Sequence, residues 1–483
     1  MLFNSIEFLI FFPVVVAVFF ALPQRFRQVF LLAASYYFYM CWKAEYAILI
    51  LVSTLIDYVA ALRMGKTTEK SARKKYLILS LAANLGILFA FKYANFFNES
   101  IRAVLQQFNI FYGFPGFDWL LPVGISFYTF QSMSYTIDVY RGEKEPERRF
   151  TTFALYVAFF PQLVAGPIER SVRLLPQLDR TVRFDYDRLI SGLRLMLWGF
   201  FKKVVIADRL AIYVNQVYNS PGEYQGFTLL LATYFFAFQI YCDFSGYSDI
   251  AIGTARIMGY DLMLNFRQPY FSQSISEFWK RWHISLSSWF KDYLYIPLGG
   301  NRVSKPRWYF NLLAVFLVSG LWHGANWTFA LWGFLHGFYL VFSIWTQKAR
   351  EAMAGLLKID RFPLLQRGLK IFLTFHLVCF AWVFFRANSV AEAFLILRNL
   401  LRLDFSPAGL AAINVALGWG ELLIALGSIL LLEVYHLLER TGRLKILVLG
   451  QPRTFRWAIY YALILGIVFF GVFNHTEFIY FQF

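Results

Sequence analysis

The sequence predicts an all-α polytopic membrane protein, and three observations support this fold class. Hydrophobic residues make up 59% of the 483 residues and charged residues only 16%, whereas a soluble chain carries about 25% charged residues. Apolar stretches of roughly 15–22 residues recur along the chain, long enough or nearly so to cross a hydrocarbon core about 30 Å thick as helices. No polar domain interrupts them, so we expect one membrane domain over residues 1–483.

Hydropathy paired with loop charge predicts about eleven or twelve membrane-spanning helices. The predicted spans are 5–22, 28–43, 45–62, 76–97, 120–139, 189–207, 226–242, 308–322, 326–346, 369–386, 418–436 and 456–473. Loops rich in Lys and Arg stay on the cytoplasmic side of a membrane. Alternation of the spans then places both chain ends on the opposite, extracytoplasmic side.

Three segments depart from simple spans. Residues 150–167 are apolar but contain Pro161 and Gly166-Pro167, which favours a re-entrant hairpin covered by other protein. Residues 243–259 are likewise compatible with either a membrane span or a re-entrant segment. Residues 274–295 have one apolar face and one charged face at helical spacing, which predicts a single helix lying flat on the cytoplasmic surface. This helix is either an ordinary interfacial anchor or the entrance for a cytoplasmic acyl donor. The donor-entrance residues are then Lys280, Arg281 and His283.

The distribution of charges and cysteines argues against nucleic-acid-binding, disulfide-rich and metal-binding proteins. The formal net charge is +17, but the basic residues fall in short loops between apolar stretches, so the charge reflects membrane topology, and we expect lipid as a partner and no nucleic acid. The three cysteines are widely scattered and match neither a disulfide framework nor a metal site. Walker, HExxH and GxSxG motifs are absent from the sequence, and we expect no bound metal or cofactor.

Two histidines stand out in the segment GLWHGANWTFALWGFLHG, which contains His323 and His336. An intramembrane histidine is costly to bury unless it is partnered, so it is a candidate functional residue. If one helix carried both, they would lie roughly 20 Å apart at about 1.5 Å per residue, too far to share a metal ion. A neutral imidazole is suited to taking a proton from a hydroxyl that attacks a thioester. A satisfied structural histidine is the alternative for each.

Two further features are candidates for supporting roles. Asp243 and Asp249, in YCDFSGYSD, are expected either to form structural ion pairs with arginines or to orient a histidine. Residues 474–483, NHTEFIYFQF, form a predicted extracytoplasmic C-terminal tail that is largely apolar. The tail is either an aromatic membrane anchor or a segment that folds back and presents Tyr480, whose hydroxyl is a nucleophile if a base lies nearby.

Long motifs in this sequence resemble the membrane-bound O-acyltransferase family. They are DFSGYSDIAIGTARIMGYDLMLNFRQPYFSQSISEFWKRWHISLSSWFKDYLYIPLGGNR, SGLWHGANWTFALWGFLHG, LPVGISFYTFQSMSYTIDVYRG and FFPQLVAGPIER. The similarity covers essentially the whole chain and is greatest to the bacterial branch that acetylates alginate or peptidoglycan or transfers D-alanine to teichoic acids. The resemblance implies a ring of tilted helices around a central funnel that connects the two membrane faces. It also implies that the protein lies in the inner membrane of a bacterial cell.

The resemblance also implies residue roles. The family's essential histidine falls on His323 and its second histidine on His336, while Asn326 is expected to orient the imidazole or the thioester carbonyl. Related systems suggest that Tyr480 is a transient acyl carrier.

The implied reaction is O-acylation of a cell-envelope polymer. The expected donor is a cytoplasmic acyl thioester, acetyl-CoA, and the expected partner is an extracytoplasmic SGNH-type acetyltransferase or esterase. That partner esterifies alginate, another exopolysaccharide or peptidoglycan. The alternatives are D-alanyl transfer, a transporter or flippase of an envelope precursor with the histidines as proton relays, and a non-catalytic assembly subunit.

Overall fold

A computed structural model describes residues 1–164, 166–414, 417–473 and 478–479. Regular secondary structure in these residues is helical, comprising α-helices with short 3₁₀ and π segments. The predicted all-α fold is confirmed. The chain folds into two compact units, one formed by residues 1–196 and 248–264 and the other by residues 197–247 and 265–483. The expectation of one domain over the whole chain stays a prediction.

The first unit holds the N-terminal helices. They are α1 (Ile6–Ala21), α2 (Gln24–Met40), α3 (Ala47–Lys66), α4 (Lys70–Leu88), α5 (Ala94–Gln107), α6 (Ile125–Arg141), α7 (Phe150–Ala158), α8 (Phe160–Leu163) and α9 (Ser171–Leu178). Most of α10 (Tyr186–Phe200) also belongs to it. A π segment, Phe89–Tyr93, joins α4 to α5, so these helices form one continuous rod over Lys70–Gln107.

The second unit contains the segment with His323 and His336. Its helices are α11 (Asp208–Asn219), α12 (Phe227–Ile257), α13 (Ile275–Trp279), α14 (Ile284–Phe290), α15 (Lys305–His323), α16 (Trp327–Trp345), α17 (Gln347–Leu356), α18 (Pro363–Arg386), α19 (Val390–Leu400), α20 (Pro407–Ala411), α21 (Gly418–Arg440) and α22 (Arg453–Phe470). A π segment, Phe201–Ala207, connects α10 to α11. The last ten residues of α12 belong to the first unit.

Within the described residues, seven helical segments are long and apolar enough to cross a membrane. They are Ala44–Lys66, Lys70–Gln107, Phe227–Ile257, Trp327–Trp345, Pro363–Arg386, Gly418–Arg440 and Arg453–Phe470. The multi-pass membrane protein predicted from the sequence is therefore confirmed. Each remaining predicted span coincides wholly or mostly with a helix that is shorter or less apolar, such as α1 and α15. The larger count of eleven or twelve crossings stays a prediction.

The three irregular segments have defined structures. In 150–167 the helix breaks at Phe159, which separates α7 from α8, whereas Pro161 lies in the first turn of α8. The re-entrant hairpin stays a prediction. Residues 243–257 continue α12 without interruption, which gives a helix of 31 residues. The single helix predicted over 274–295 is wrong, because α13 ends at Trp279 and α14 begins only at Ile284. His283 between them has φ 43° and ψ 55°, a left-handed conformation that an α-helix of L-residues does not contain.

A buried carboxylate organises the first unit. Asp57 on α3 is fully buried and accepts hydrogen bonds from Ser80, Asn84 and Ser132, which lie on α4 and α6. The amide of Asn84 reaches both carboxylate oxygens at 2.9 Å. Polar groups in an apolar interior must find partners, so this network fixes how three helices pack. Asp57 lies inside a predicted span, and the sequence analysis did not single it out.

Candidate active site

The two candidate catalytic histidines lie on a tight helical hairpin in the second unit. His323 is the last residue of α15, and His336 lies within α16. Gly320 and Gly333 stand where the helices cross, and a Cβ on Gly320 would lie 2.2 Å from the backbone oxygen of Phe329. A Cβ on Gly333 would meet the backbone oxygen of Phe316 at the same distance. Glycine is therefore required at both positions for the helices to approach this closely.

One tryptophan ring contacts both histidines. The ring centroid of Trp332 lies 5.0 Å from that of His323 and 5.0 Å from that of His336, both in edge-on arrangements. The separation of roughly 20 Å expected for a single helix does not occur, because the chain reverses between the two histidines. Trp382 stacks on Trp332 at 5.8 Å, and Phe385 contacts His323 at 5.4 Å. The two imidazoles thus share one aromatic enclosure.

His336 is held by a directional hydrogen bond. Its side chain is fully buried, and its Nδ1 accepts from the indole N–H of Trp279 at 3.3 Å. A neutral imidazole that accepts at Nδ1 carries its proton at Nε2. Nε2 is buried and has no hydrogen-bond partner among the described residues. His336 therefore offers a buried donor, which is the group that a carbonyl oxygen requires.

His323 occupies the end of α15 and is only 3% exposed. The neighbouring Trp322 ring lies 4.9 Å away, and with Trp332 and Phe385 it encloses the imidazole on several sides. Gly324 follows, and a Cβ there would lie 2.1 Å from the Phe329 ring. The surrounding aromatic side chains make the environment of this imidazole largely apolar.

Asn326 caps the helix that carries His336. Its amide oxygen accepts from the backbone N–H of Thr328 at 3.0 Å, and its amide nitrogen donates to the backbone oxygen of Asn388 at 3.3 Å. Asn is among the preferred residues at this position, because its side chain satisfies an unpaired N–H of the first turn. The structure thus gives Asn326 a capping role. Its predicted role in orienting the imidazole or the thioester carbonyl stays a prediction.

The donor-entrance residues do not share one surface. Lys280 is exposed, and Arg281 forms an ion pair with Glu277 at 2.7 Å. His283 is fully buried, so its expected position on a surface helix is wrong. Its Nδ1 lies 3.1 Å from Oδ1 of Asn265, which also accepts from the backbone N–H and hydroxyl of Ser285. Burial lowers the pKa of His283 to about 3, so the ring is neutral at physiological pH and Asn265 fixes the chain reversal before α14.

A small apolar cavity adjoins the His336 pocket. Its volume is about 140 Å³, and it lies between α15 and the segment 279–295. The lining residues Trp279 and Phe316 also contact the His336 ring, at 5.0 and 6.3 Å. The other lining residues are Leu286, Ser287, Phe290, Lys291, Tyr295, Leu312, Val315 and Ser319. The cavity is therefore mostly apolar, with the exposed Lys291 as the one cationic residue of its lining, and it borders residues that contact His336.

Asp243 forms an ion pair that the sequence analysis did not identify. Its Oδ1 lies 2.8 Å from Nζ of Lys203, and the same ammonium lies 2.8 Å from Oδ1 of Asp208. The predicted partners were arginines or a histidine. Lys203 lies within a predicted span, and a lysine in such a position is a functional candidate by default. That signal was present in the sequence as the adjacent pair Lys202-Lys203 inside an apolar stretch.

Residues 478 and 479 reach this ion pair. The backbone N–H of Ile479 donates to Oδ2 of Asp243 at 2.8 Å, and Phe478 is fully buried. Tyr480 lies outside the described residues. In the part of the chain that the structure describes, no group of three or more His, Cys, Asp or Glu residues is placed to hold a metal ion.

Comparison with known proteins places this site in a family. The profile of the membrane-bound O-acyltransferase family (MBOAT) matches residues 147–385, which include both histidines. The chain is 42% identical over 395 residues to "Probable alginate O-acetylase AlgI" of Azotobacter vinelandii, covering 81% of this chain and 76% of the relative. It is 36% identical over 408 residues to "Peptidoglycan O-acetyltransferase" of Helicobacter pylori, covering 78% and 74%.

A more distant relative is named for the transfer of a different acyl group. The chain is 29% identical over 279 residues to "Teichoic acid D-alanyltransferase" of Bacillus subtilis, covering 54% of this chain and 68% of the relative. The relatives, the family profile and the apolar helices agree with the resemblance noted in the sequence. The protein is a multi-pass membrane O-acyltransferase, and it belongs to the membrane-bound O-acyltransferase family.

Proposed function

We propose that this chain transfers an acetyl group from cytoplasmic acetyl-CoA to a hydroxyl, for O-acetylation of an extracytoplasmic cell-envelope polysaccharide. The observation that carries the proposal is the contact of the Trp332 ring with both His323 and His336. The chain that holds this site is 42% identical to a relative named for alginate O-acetylation. The greater identity and coverage of the acetyl-transferring relatives favour acetyl over D-alanyl. The acceptor is alginate, another exopolysaccharide or peptidoglycan.

The proposed reaction uses His323 as the base. His323 takes the proton of an acceptor hydroxyl, and the hydroxyl oxygen attacks the thioester carbonyl carbon. The new C–O bond forms as the C–S bond breaks, and the thiolate leaves with the proton returned from the imidazolium. The products are the acetyl ester and free CoA thiol. No external oxidant or metal is needed to balance this step.

We propose that His336 donates a hydrogen bond to the carbonyl oxygen of the thioester. The buried Nε2 of His336 has no hydrogen-bond partner among the described residues, and the Trp279 bond holds the ring in the tautomer that donates from Nε2. A donor fixed in place before the reaction stabilises the negative charge that develops on the carbonyl oxygen. The adjacent cavity, with Lys291 in its lining, is the proposed site for the thioester arm.

We also propose that Tyr480 is the first acceptor, and that an extracytoplasmic SGNH-type partner moves the acetyl group from it to the polysaccharide. The burial of Phe478 and Ile479 within the second unit supports this role over that of a membrane anchor. The rival functions predict different chemistry. A transporter or flippase moves its substrate without acyl transfer, and a non-catalytic assembly subunit tolerates His323→Ala.

The experiment is transfer of radiolabelled acetyl from acetyl-CoA to the purified protein in detergent. Wild type is expected to become labelled, while His323→Ala and Tyr480→Phe remain unlabelled. His376→Ala is the matched control, because His376 lies in a different helix and bonds to Tyr234 at 2.8 Å. Full labelling of His323→Ala would overturn the proposed base. Full labelling of Tyr480→Phe would overturn the proposed acceptor and leave the base standing.

A further inference from the structure

Ile479 is attached to Asp243 inside the second unit. The backbone N–H of Ile479 donates to Oδ2 of Asp243 at 2.8 Å, and each of the two residues is 3% exposed. A hydrogen bond to a buried carboxylate is stronger than one between neutral groups. The bond is made by the backbone of residue 479, so it fixes the position of the chain directly before Tyr480.

Lys203 fixes the carboxylate that receives this bond. Its ammonium lies 2.8 Å from Asp243 and 2.8 Å from Asp208, and the lysine is 1% exposed. Gly246 makes this arrangement possible, because a Cβ there would lie 2.8 Å from the backbone oxygen of Gly199 and 3.2 Å from the backbone nitrogen of Lys203. With Oδ1 engaged by the lysine, Oδ2 is directed to the incoming backbone.

Aromatic packing and a second attachment hold the neighbouring residues. The fully buried Phe478 ring lies 4.4 Å from Tyr247 and 5.7 Å from Phe244, and both rings belong to the helix that carries Asp243. Further upstream, the backbone N–H of Val472 donates to the backbone oxygen of Val204 at 2.9 Å. The chain is thus attached at residues 472 and 479 to neighbouring parts of one site.

We propose that Asp243, held by Lys203, is a positioning residue for the acceptor tyrosine of this enzyme. The inference rests on the proposed function, in which Tyr480 accepts the acetyl group. An acceptor hydroxyl on a mobile segment reacts slowly, because its translational and rotational freedom must be given up in the transition state. Anchoring the adjacent backbone removes part of that entropic cost beforehand. Asp243 takes no part in bond making. Its carboxylate accepts the Ile479 N–H, and the Asp243–Lys203 pair sets where that acceptor lies.

The first test measures whether the segment is docked. In a background of Cys41→Ser, Cys242→Ala and Cys379→Ala, Ile479→Cys places a thiol at the anchored position and keeps its N–H. A hydrophilic maleimide is expected to label this thiol at least about 10-fold faster once Asp243→Ala is added, as the loss of a charged hydrogen bond implies. Asp208 remains to pair Lys203 in that variant. Asp249→Asn, on the same helix, is the matched control and is expected to leave the rate unchanged.

The second test removes the donor instead of the acceptor. Ile479→Pro deletes the N–H and leaves the buried ion pair intact, whereas Ile479→Val keeps the N–H. Acetyl labelling of Tyr480 is expected to fall at least about 10-fold in the proline variant and to persist in the valine variant. Adding Asp243→Ala to Ile479→Pro is expected to cause little further loss, because both changes remove the same bond.

These results separate the inference from the proposed function. Equal maleimide rates with and without Asp243→Ala would overturn the positioning role, as would full additivity of the two losses. Either result would leave Tyr480 as the acceptor. Full acetyl labelling of Tyr480→Phe would instead overturn the acceptor, and the maleimide rates would still report the docking of Ile479.

Discussion

The indole N–H of Trp279 donates to Nδ1 of His336 at 3.3 Å, across a sequence separation of 57 residues. The bond links α13, at the start of the segment that lines the cavity, to the helix that carries the second histidine. It determines which imidazole nitrogen carries the proton. The orientation of His336 is therefore controlled from a separate part of the chain.

Removal of this N–H is expected to slow acetyl transfer. Trp279→Phe keeps an aromatic ring but leaves a buried acceptor without its donor, which costs about 1–3 kcal/mol. We expect kcat to fall about 10-fold as His336 loses its fixed tautomer. Trp457→Phe is the control, because Trp457 is exposed on α22 and is not among the residues that line the cavity. An equal fall in both variants would contradict the role assigned to Trp279.

The glycine contact of the hairpin is expected to be intolerant of a methyl group. Gly320→Ala places a Cβ 2.2 Å from a backbone oxygen, and overpacking of this kind costs about 1–3 kcal/mol of unfolding free energy. Thermal unfolding in detergent, followed by tryptophan fluorescence, measures the loss. Gly427→Ala is the control, since a Cβ there meets nothing within 4 Å. Similar melting temperatures for both variants would show that the helices separate easily.

The charge of Lys291 is expected to support binding of the donor. Lys291→Gln removes the cation from the cavity lining, and we expect the KM for acetyl-CoA to rise about 3-fold at low salt with little change in kcat. The difference is expected to shrink at about 1 M salt, where the Debye length is about 3 Å. Lys305→Gln, at the exposed start of α15, is the control. A KM unaffected by Lys291→Gln would place the donor elsewhere.

Stability is expected to depend on the neutral state of His283. Its pKa is lowered to about 3 by burial, whereas in the unfolded chain it is about 6.5. Below pH 6.5 the unfolded state binds a proton that the folded state does not, so stability falls as the pH drops toward 3. We expect the unfolding free energy of wild type relative to His283→Gln to fall by about 1.4 kcal/mol per pH unit in this window.

Denaturant unfolding in detergent between pH 7 and pH 4 measures this dependence. The pH dependence of the His283→Gln variant reports the acid sensitivity of all the other groups, because both proteins contain them. The difference between the two curves is therefore the contribution of His283. Parallel curves for wild type and variant would show that His283 is hydrated and titrates normally. Asn265→Ala is expected to destabilise the protein across the whole range, since its amide oxygen accepts three hydrogen bonds at the chain reversal.

The sequence by itself determined the class of this protein. Apolar stretches long enough to cross a bilayer, with basic loops between them, leave a helical multi-pass membrane protein as the solution, because backbone groups in lipid must be satisfied within each segment. The segment containing His323 and His336 was also evident, since histidines are costly at membrane depth. The similarity of its motifs to known acyltransferases supplied the reaction class.

Only the tertiary structure decided which distant residues meet. Helical periodicity in 274–295 predicted one surface helix, yet Asn265 and the burial of His283 impose a reversal that a local pattern does not encode. The contact of Trp332 with both histidines requires the α15–α16 hairpin to close at two glycines. Periodicity reports the average environment of a face, whereas bonds such as that of Ile479 to Asp243 depend on packing between segments far apart in sequence.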